Sequence, residues 1–134
     1  MVSRLTLTNR PENLKLVLDF IQKWGQDRGL PASRRGDLAQ AAGAIFRHLA
    51  TRAYRPDQPG SIAIILEEKG PRLRLIFEDD APPHDPTSLI RPAAQGPDPP
   101  GGASPLSRVH QLAESLIYYR TADRKNRLVV FLNF

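Results

Sequence analysis

At 134 residues and without cysteine, the chain can build one hydrophobic core, but neither a disulfide framework nor a thiolate metal site. A formal net charge of +5 favours acidic partners. The basic residues are nevertheless dispersed over Arg34-Arg35, Arg72/Arg74 and Arg124-Lys125/Arg127, with no aromatic-studded basic strand, so a solvated surface is expected and no direct nucleic-acid interface. No apolar run approaches the roughly 18 residues that span a bilayer, and Met1-Val2-Ser3-Arg4 opens a strand-like alternation instead of a signal sequence. The expectation is a cytoplasmic protein with no membrane association.

In chain order, Leu5 and Leu7 alternate with polar neighbours from Ser3 to Thr8 and predict a short strand. Asn9-Arg10-Pro11-Glu12 is a helix start, with proline in the first turn and an acid at the positive end of the dipole. The helix is expected to reach about Asp27, with Leu14, Val17, Leu18, Ile21 and Trp24 as its apolar stripe and Gly29 at its exit. A second helix, from about Arg35 to Ala53, buries Leu38, Ala42, Ile45, Phe46 and Leu49. Ala44, His48 and Arg52 follow at four-residue spacing along the edge of that face. His48 reads equally as a ligand-site residue and as a helix-surface histidine without a role.

Arg55 to Gly60 forms a turn, and Ser61 to Glu67 and Arg72 to Phe77 read as a hairpin joined through Glu68-Lys69-Gly70-Pro71. On the second of these strands Leu73, Leu75 and Phe77 share one face, and period two delivers Asp79 to the same face just past the strand end. There a carboxylate could meet a ligand without full burial, or the pair Asp79-Asp80 could merely terminate the strand. Residues 81–105 hold eight of the thirteen prolines together with Gly96, Gly101 and Gly102, a composition for a lid, a binding loop or a disordered segment. Val109, Leu112, Ala113 and Leu116 then return to helical spacing. A closing hairpin follows, Leu116 to Arg120 and Leu128 to Phe134, around a polar turn from Thr121 to Asn126. There is no internal repeat, P-loop, Rossmann glycine fingerprint or His/carboxylate cluster at metal-ligand spacing.

This order of elements, together with Ala44, His48 and Arg52-Ala53-Tyr54 on the second helix, Asp79-Asp80-Ala81-Pro82-Pro83-His84-Asp85-Pro86, Gly101-Gly102-Ala103-Ser104-Pro105-Leu106, and the final Leu116-Ile117-Tyr118-Tyr119-Arg120 with Asn126-Arg127-Leu128, resembles the RsbW-type anti-sigma factor and serine-protein kinase family. The resemblance runs from about Leu5 to Phe131. It implies a Bergerat, or GHKL, ATPase-like fold: a two-layer α/β sandwich with a mixed, mostly antiparallel sheet covered on one face by three helices and the other face open to solvent or a dimer partner. The whole of 1–134 is then one domain with a lid at about 81–105.

The same resemblance assigns nucleotide contacts to Asp79, Ala81, His48, Arg52, Gly101 and Gly102, with Asp79 facing adenine. It also implies a pocket formed by Asp79 and the stripe Ala44, His48, Arg52. In the family the second helix carries a catalytic glutamate and a magnesium-holding asparagine. Here Ala44 stands at the glutamate position, leaving no catalytic residue to assign, and His48 stands at the asparagine position. An imidazole nitrogen is a poor donor for magnesium, so no metal ligand is assigned. Ala81 replaces a glycine that lets the backbone approach adenine, and Pro105 removes a lid N–H. The implied function is an anti-sigma-like regulatory domain that binds ATP or ADP weakly, with reduced or lost kinase activity, and whose partner is a sigma factor or a STAS-domain antagonist. The alternative is a protein-binding module independent of nucleotide. A homodimer is compatible with either.

Overall fold

The structure is a computed structural model, described over residues 2–88 and 106–133. Five strands, β1 (Val2–Thr8), β2 (Ser61–Lys69), β3 (Arg72–Asp79), β4 (Ser115–Arg120) and β5 (Asn126–Asn133), form one sheet in the order β1-β2-β3-β5-β4. Every pairing is antiparallel. Three helices, α1 (Leu14–Asp27), α2 (Ala32–His48) and α3 (Ser107–Leu112), complete an α+β architecture.

Local chemistry explains the boundaries. Proline at the start of the Pro11–Asn13 turn leads into α1. At the other end Gly29 adopts φ 69, while its N–H donates to Gln26 O and the N–H of Leu30 donates to Gly25 O at 2.9 Å. These two bonds are the Schellman arrangement, and the left-handed residue between them is the glycine that tolerates it. α2 begins at Ala32, three residues earlier than the expected Arg35, because Pro31 sits in extended conformation and its carbonyl accepts from Arg35 N at 3.0 Å. The β2–β3 hairpin is tighter than expected: Lys69 pairs with Arg72, leaving Gly70, at φ 60, and Pro71 as a two-residue turn with glycine at its first central position.

The core lies between the helices and one sheet face. Val17, Ile21 and Trp24 from α1 and Leu38, Ile45 and Phe46 from α2 pack against Ile62, Ile64, Leu66, Leu73, Leu75, Phe77, Leu128, Val130 and Leu132. Of the apolar residues that the stripes and alternation put inside, Trp24, Ile45 and Leu75 are buried, as is Leu49 just past α2, whereas Leu112 is only partly buried. Truncating Phe46 or Phe77 to alanine would cost about 3–5 kcal/mol, since both are fully enclosed.

The opposite face is not bare. Ile65, Ile76 and Val129 form a second small cluster with Phe131 beside it, next to the directly opposed pairs Glu67–Arg74 and Glu78–Arg127. Beyond this, Ile117 and Tyr119 on β4 remain 48% and 44% exposed. Leu116, which the sequence offered both at helical spacing and as the start of the closing hairpin, belongs to the hairpin strand β4: α3 stops at Leu112, and Glu114 N already donates to Phe131 O at 2.8 Å. Of the expected lid at 81–105, residues 81–88 contain only bends and a short 3-10 turn at Pro86–Ser88. Residues 89–105, including Gly96, Gly101, Gly102 and Pro105, lie outside the described residues, as does the expected mobility of that segment.

Candidate functional site

Asp79 closes β3 and, through the alternation of Leu73, Leu75 and Phe77, points to the helix-covered side. It was expected just past the strand and incompletely buried; it is instead the strand's last residue and 3% exposed. The cause is its register partner Asn126, the first residue of β5 and not the end of the preceding turn. Asn126 Nδ2 donates to Asp79 Oδ1 at 2.8 Å, and Ala81 N donates to the same oxygen at 3.0 Å. Among the described residues both hydrogen bonds to this carboxylate fall on Oδ1 and none on Oδ2. Desolvation raises the Asp79 carboxyl above its ordinary value and Asp80 adds a smaller upward push, against the hydrogen bonds from Asn126 and Ala81 and the nearby charge of His84.

Asn126 organises the rest of the turn. Its Nδ2 also reaches Ala81 O at 3.2 Å and Pro82 O at 3.0 Å. Its Oδ1 accepts from His84 N at 3.2 Å, Tyr118 Oη at 2.6 Å and the Arg120 guanidinium at 3.1 Å. Arg120 in turn donates to Ala81 O at 3.1 Å. One amide thereby wires β3, β4, β5 and the segment after β3 together. Ala81 itself is buried in the core, so its methyl group occupies packed space beside Asp79.

The helix side contributes His48. Its Nε2 lies 3.0 Å from His84 Nε2, with the two ring planes inclined at 29° and their centroids 5.2 Å apart, so that the rings meet end to end. One nitrogen donates and the other accepts. Desolvation, then His84 and Arg52, lower the His48 pKa below its ordinary value, which favours the neutral imidazole. His84 was present in the acidic turn as read from sequence but carried no role there. Nothing local announces that the turn folds back onto the end of α2.

The expected stripe of Ala44, His48 and Arg52 runs from α2 into a wider turn. Ala44 is partly buried and packs against the core, whereas Arg52 is exposed. From Leu49 to Ala53 the helix widens to π geometry, and the wider turn rotates residues away from the four-residue register that an α-helix would keep. Arg52 still acts electrostatically on His48. Among the described residues, the contacts of the expected site residues fall into two linked features, the Asp79–Asn126 node and the His48–His84 contact. Gly101 and Gly102 lie outside the described residues. Among the described residues no three or more His, Cys, Asp or Glu side chains converge on a metal position, and no helix is long and apolar enough to cross a membrane.

A second polar node adjoins the first. Tyr54 Oη donates to Asp80 Oδ1 at 2.7 Å, and Ser61 N donates to the same oxygen at 2.9 Å. Desolvation and that hydrogen bond hold the tyrosine proton far above its ordinary range. Tyr54 also borders an open cleft of about 470 Å³ that runs from Asn9 and Arg10 to Gln58. Tyr54 and Asn126 were read in the sequence only as parts of the motifs that carry the resemblance, with no role of their own. Both act through partners 26 and 47 residues away.

The family model for the histidine kinase-like ATPase domain matches residues 7–131. No curated protein matches the chain.

Proposed function

This chain belongs to the histidine kinase-like ATPase domain family, with its GHKL-like fold, and on that premise we propose that it is a regulatory domain that binds adenine nucleotide weakly and acts mainly through a protein partner. The observation that carries the reading is the buried Asp79 carboxylate, with Oδ1 paired twice and Oδ2 unpaired among the described residues. Asp79 Oδ2 is not a fully buried orphan; at the strand end it can accept from an N–H donor from outside, such as the adenine amino group.

The residues present fit the two halves of a magnesium nucleotide unequally. Asp79 supplies an acceptor for the base, and Arg52 a positive charge that offsets phosphate. The donor set does not fit magnesium, which requires hard oxygen ligands. Ala44 offers none, and His48 offers an imidazole nitrogen already engaged with His84. No residue at the Ala44 position can take a proton from an attacking hydroxyl, which leaves the chain without a general base there.

A sigma factor or a STAS-domain antagonist is the partner class that the anti-sigma resemblance suggests, and the proposed mode of action is sequestration by binding. A nucleotide-independent binding module is the second reading; the burial of the Ala81 methyl group beside Asp79 favours it. Calorimetry with ATP, in magnesium and in chelator, separates the two. Weak binding that is insensitive to magnesium supports the first reading, absence of binding supports the second, and tight magnesium-dependent binding with serine phosphorylation of a STAS protein overturns both.

A further inference from the structure

The disagreement with magnesium points to a different ion. We propose that His48 and His84 form a two-histidine site for a borderline divalent metal ion of the zinc, nickel and copper class. The two Nε2 atoms are 3.0 Å apart. Two imidazole nitrogens at about 2.0–2.1 Å from a tetrahedral zinc stand roughly 3.3–3.4 Å apart. An opening of a few tenths of an ångström, together with a tilt of both rings that turns the Nε2 lone pairs from each other toward one point, therefore converts the hydrogen-bonded pair into a chelating pair.

The chemistry of the exchange balances without a co-reactant. The ring that donates through Nε2 shifts its proton to Nδ1, and both Nε2 lone pairs then face the ion. Imidazole nitrogen is a preferred donor for zinc, nickel and copper and a poor one for magnesium.

The two ligands are held from different directions. His48 is the last residue of α2, while the backbone N–H of His84 is anchored on Asn126 Oδ1 at 3.2 Å. The nearby Asp79 carboxylate, which is electrostatically coupled to His84, favours a cation. Arg52, coupled to His48, opposes it. With two protein ligands among the described residues, the remaining positions fall to water or to an anionic ligand, which makes this an open, exchangeable site. A bound ion would tie the segment after β3 to the end of α2. Nucleotide is not required, so the site stands or falls independently of the reading above.

The test is calorimetric titration of the nucleotide-free chain with ZnCl2 in a non-chelating buffer, with and without millimolar MgCl2. One zinc ion per chain, undisturbed by magnesium, is expected. His48→Ala and His84→Ala should each weaken it by about tenfold or more, with the far-ultraviolet circular dichroism unchanged, and Arg52→Ala should tighten it. Should a histidine variant unfold, the electron paramagnetic resonance spectrum of one equivalent of Cu2+ on the unaltered chain decides, since two coordinated nitrogens are required. Zinc binding that survives both histidine substitutions, zinc displaced by magnesium, no zinc binding, or a copper spectrum without two nitrogens overturns the proposal.

Discussion

Asn126 and Asp79 are cross-strand partners 47 residues apart, and the amide donates to the carboxylate at 2.8 Å while its own oxygen gathers Tyr118, Arg120 and the backbone of His84. Removing the amide leaves several buried or half-buried polar groups without a partner at once. Asn126→Ala should destabilise the fold by roughly 2–3 kcal/mol, read from denaturant unfolding at pH 7, since each stranded group costs about 1–3 kcal/mol before relaxation. Asn126→Asp is the sharper probe. It loses the Nδ2 donors and sets a second carboxylate against Asp79, so it should be less stable than Asn126→Ala at pH 7 and recover relative to it on acidification. A variant that matches Asn126→Ala at every pH would refute the direct contact.

The raised Asp79 pKa fixes the sign of another effect. A carboxyl whose folded-state pKa lies above its unfolded value contributes stability below the ordinary 3.8, and that contribution is lost as pH rises through the folded value. The charged and titratable groups acting on it are His84 and Asp80, with Arg120 bonded to the adjacent Ala81 carbonyl. Asp79→Asn can keep both Oδ1 bonds without the desolvated charge. Its stability relative to the unaltered chain should therefore rise from pH 3.8 upward and level off once the pH has passed the raised folded-state value. Nucleotide binding should fall in the same variant. Thermal melts across pH, paired with ATP calorimetry, check both halves; an Asn variant that binds ATP as well as the original removes the adenine role from Asp79.

Tyr54 provides a separate measure of the second node. Its hydroxyl joins Asp80 to the Ser61 carbonyl, so Tyr54→Phe should cost about 1 kcal/mol, the usual net worth of such a bond, and somewhat more if Asp80 is left dry. Because the folded state raises this pKa, the tyrosine's contribution is complete below the ordinary value of 10.0 and declines above it. Phenylalanine abolishes that alkaline decline. Stability curves of the two proteins that stay parallel between pH 9 and pH 11 would show that the hydroxyl is not held as described.

Much of this architecture was legible from periodicity. Alternation along Leu73, Leu75 and Phe77 placed Asp79 on the correct face, and the Gly29 exit and the β2–β3 hairpin followed from glycine positions. Burial of Asp79 was not legible, because it depends on the β3–β5 register, a pairing that no local spacing encodes. Arg52 was expected in an α-helical stripe with Ala44 and His48, and the π turn from Leu49 to Ala53, which no local spacing announces, carries it instead. His84 was visible as a residue and invisible as a partner, since its meeting with His48 is made by a turn folding back across 36 positions.

The donor set at the end of α2 makes a last prediction possible. If magnesium is disfavoured because Ala44 and His48 stand where the resemblance implies a glutamate and an asparagine, then Ala44→Glu combined with His48→Asn supplies the missing oxygen donors. The substitution also removes half of the histidine pair, so zinc binding at that site should disappear in the same protein. Ala44 is partly buried, and the added carboxylate should lower stability, which a thermal melt will register. With the fold intact, ATP affinity in magnesium should exceed that in chelator by about tenfold, a difference near 1.4 kcal/mol, where the original chain shows almost none. Zinc loss without any gain in magnesium dependence would mean that these two positions do not by themselves account for the altered site, and would shift attention to Ala81.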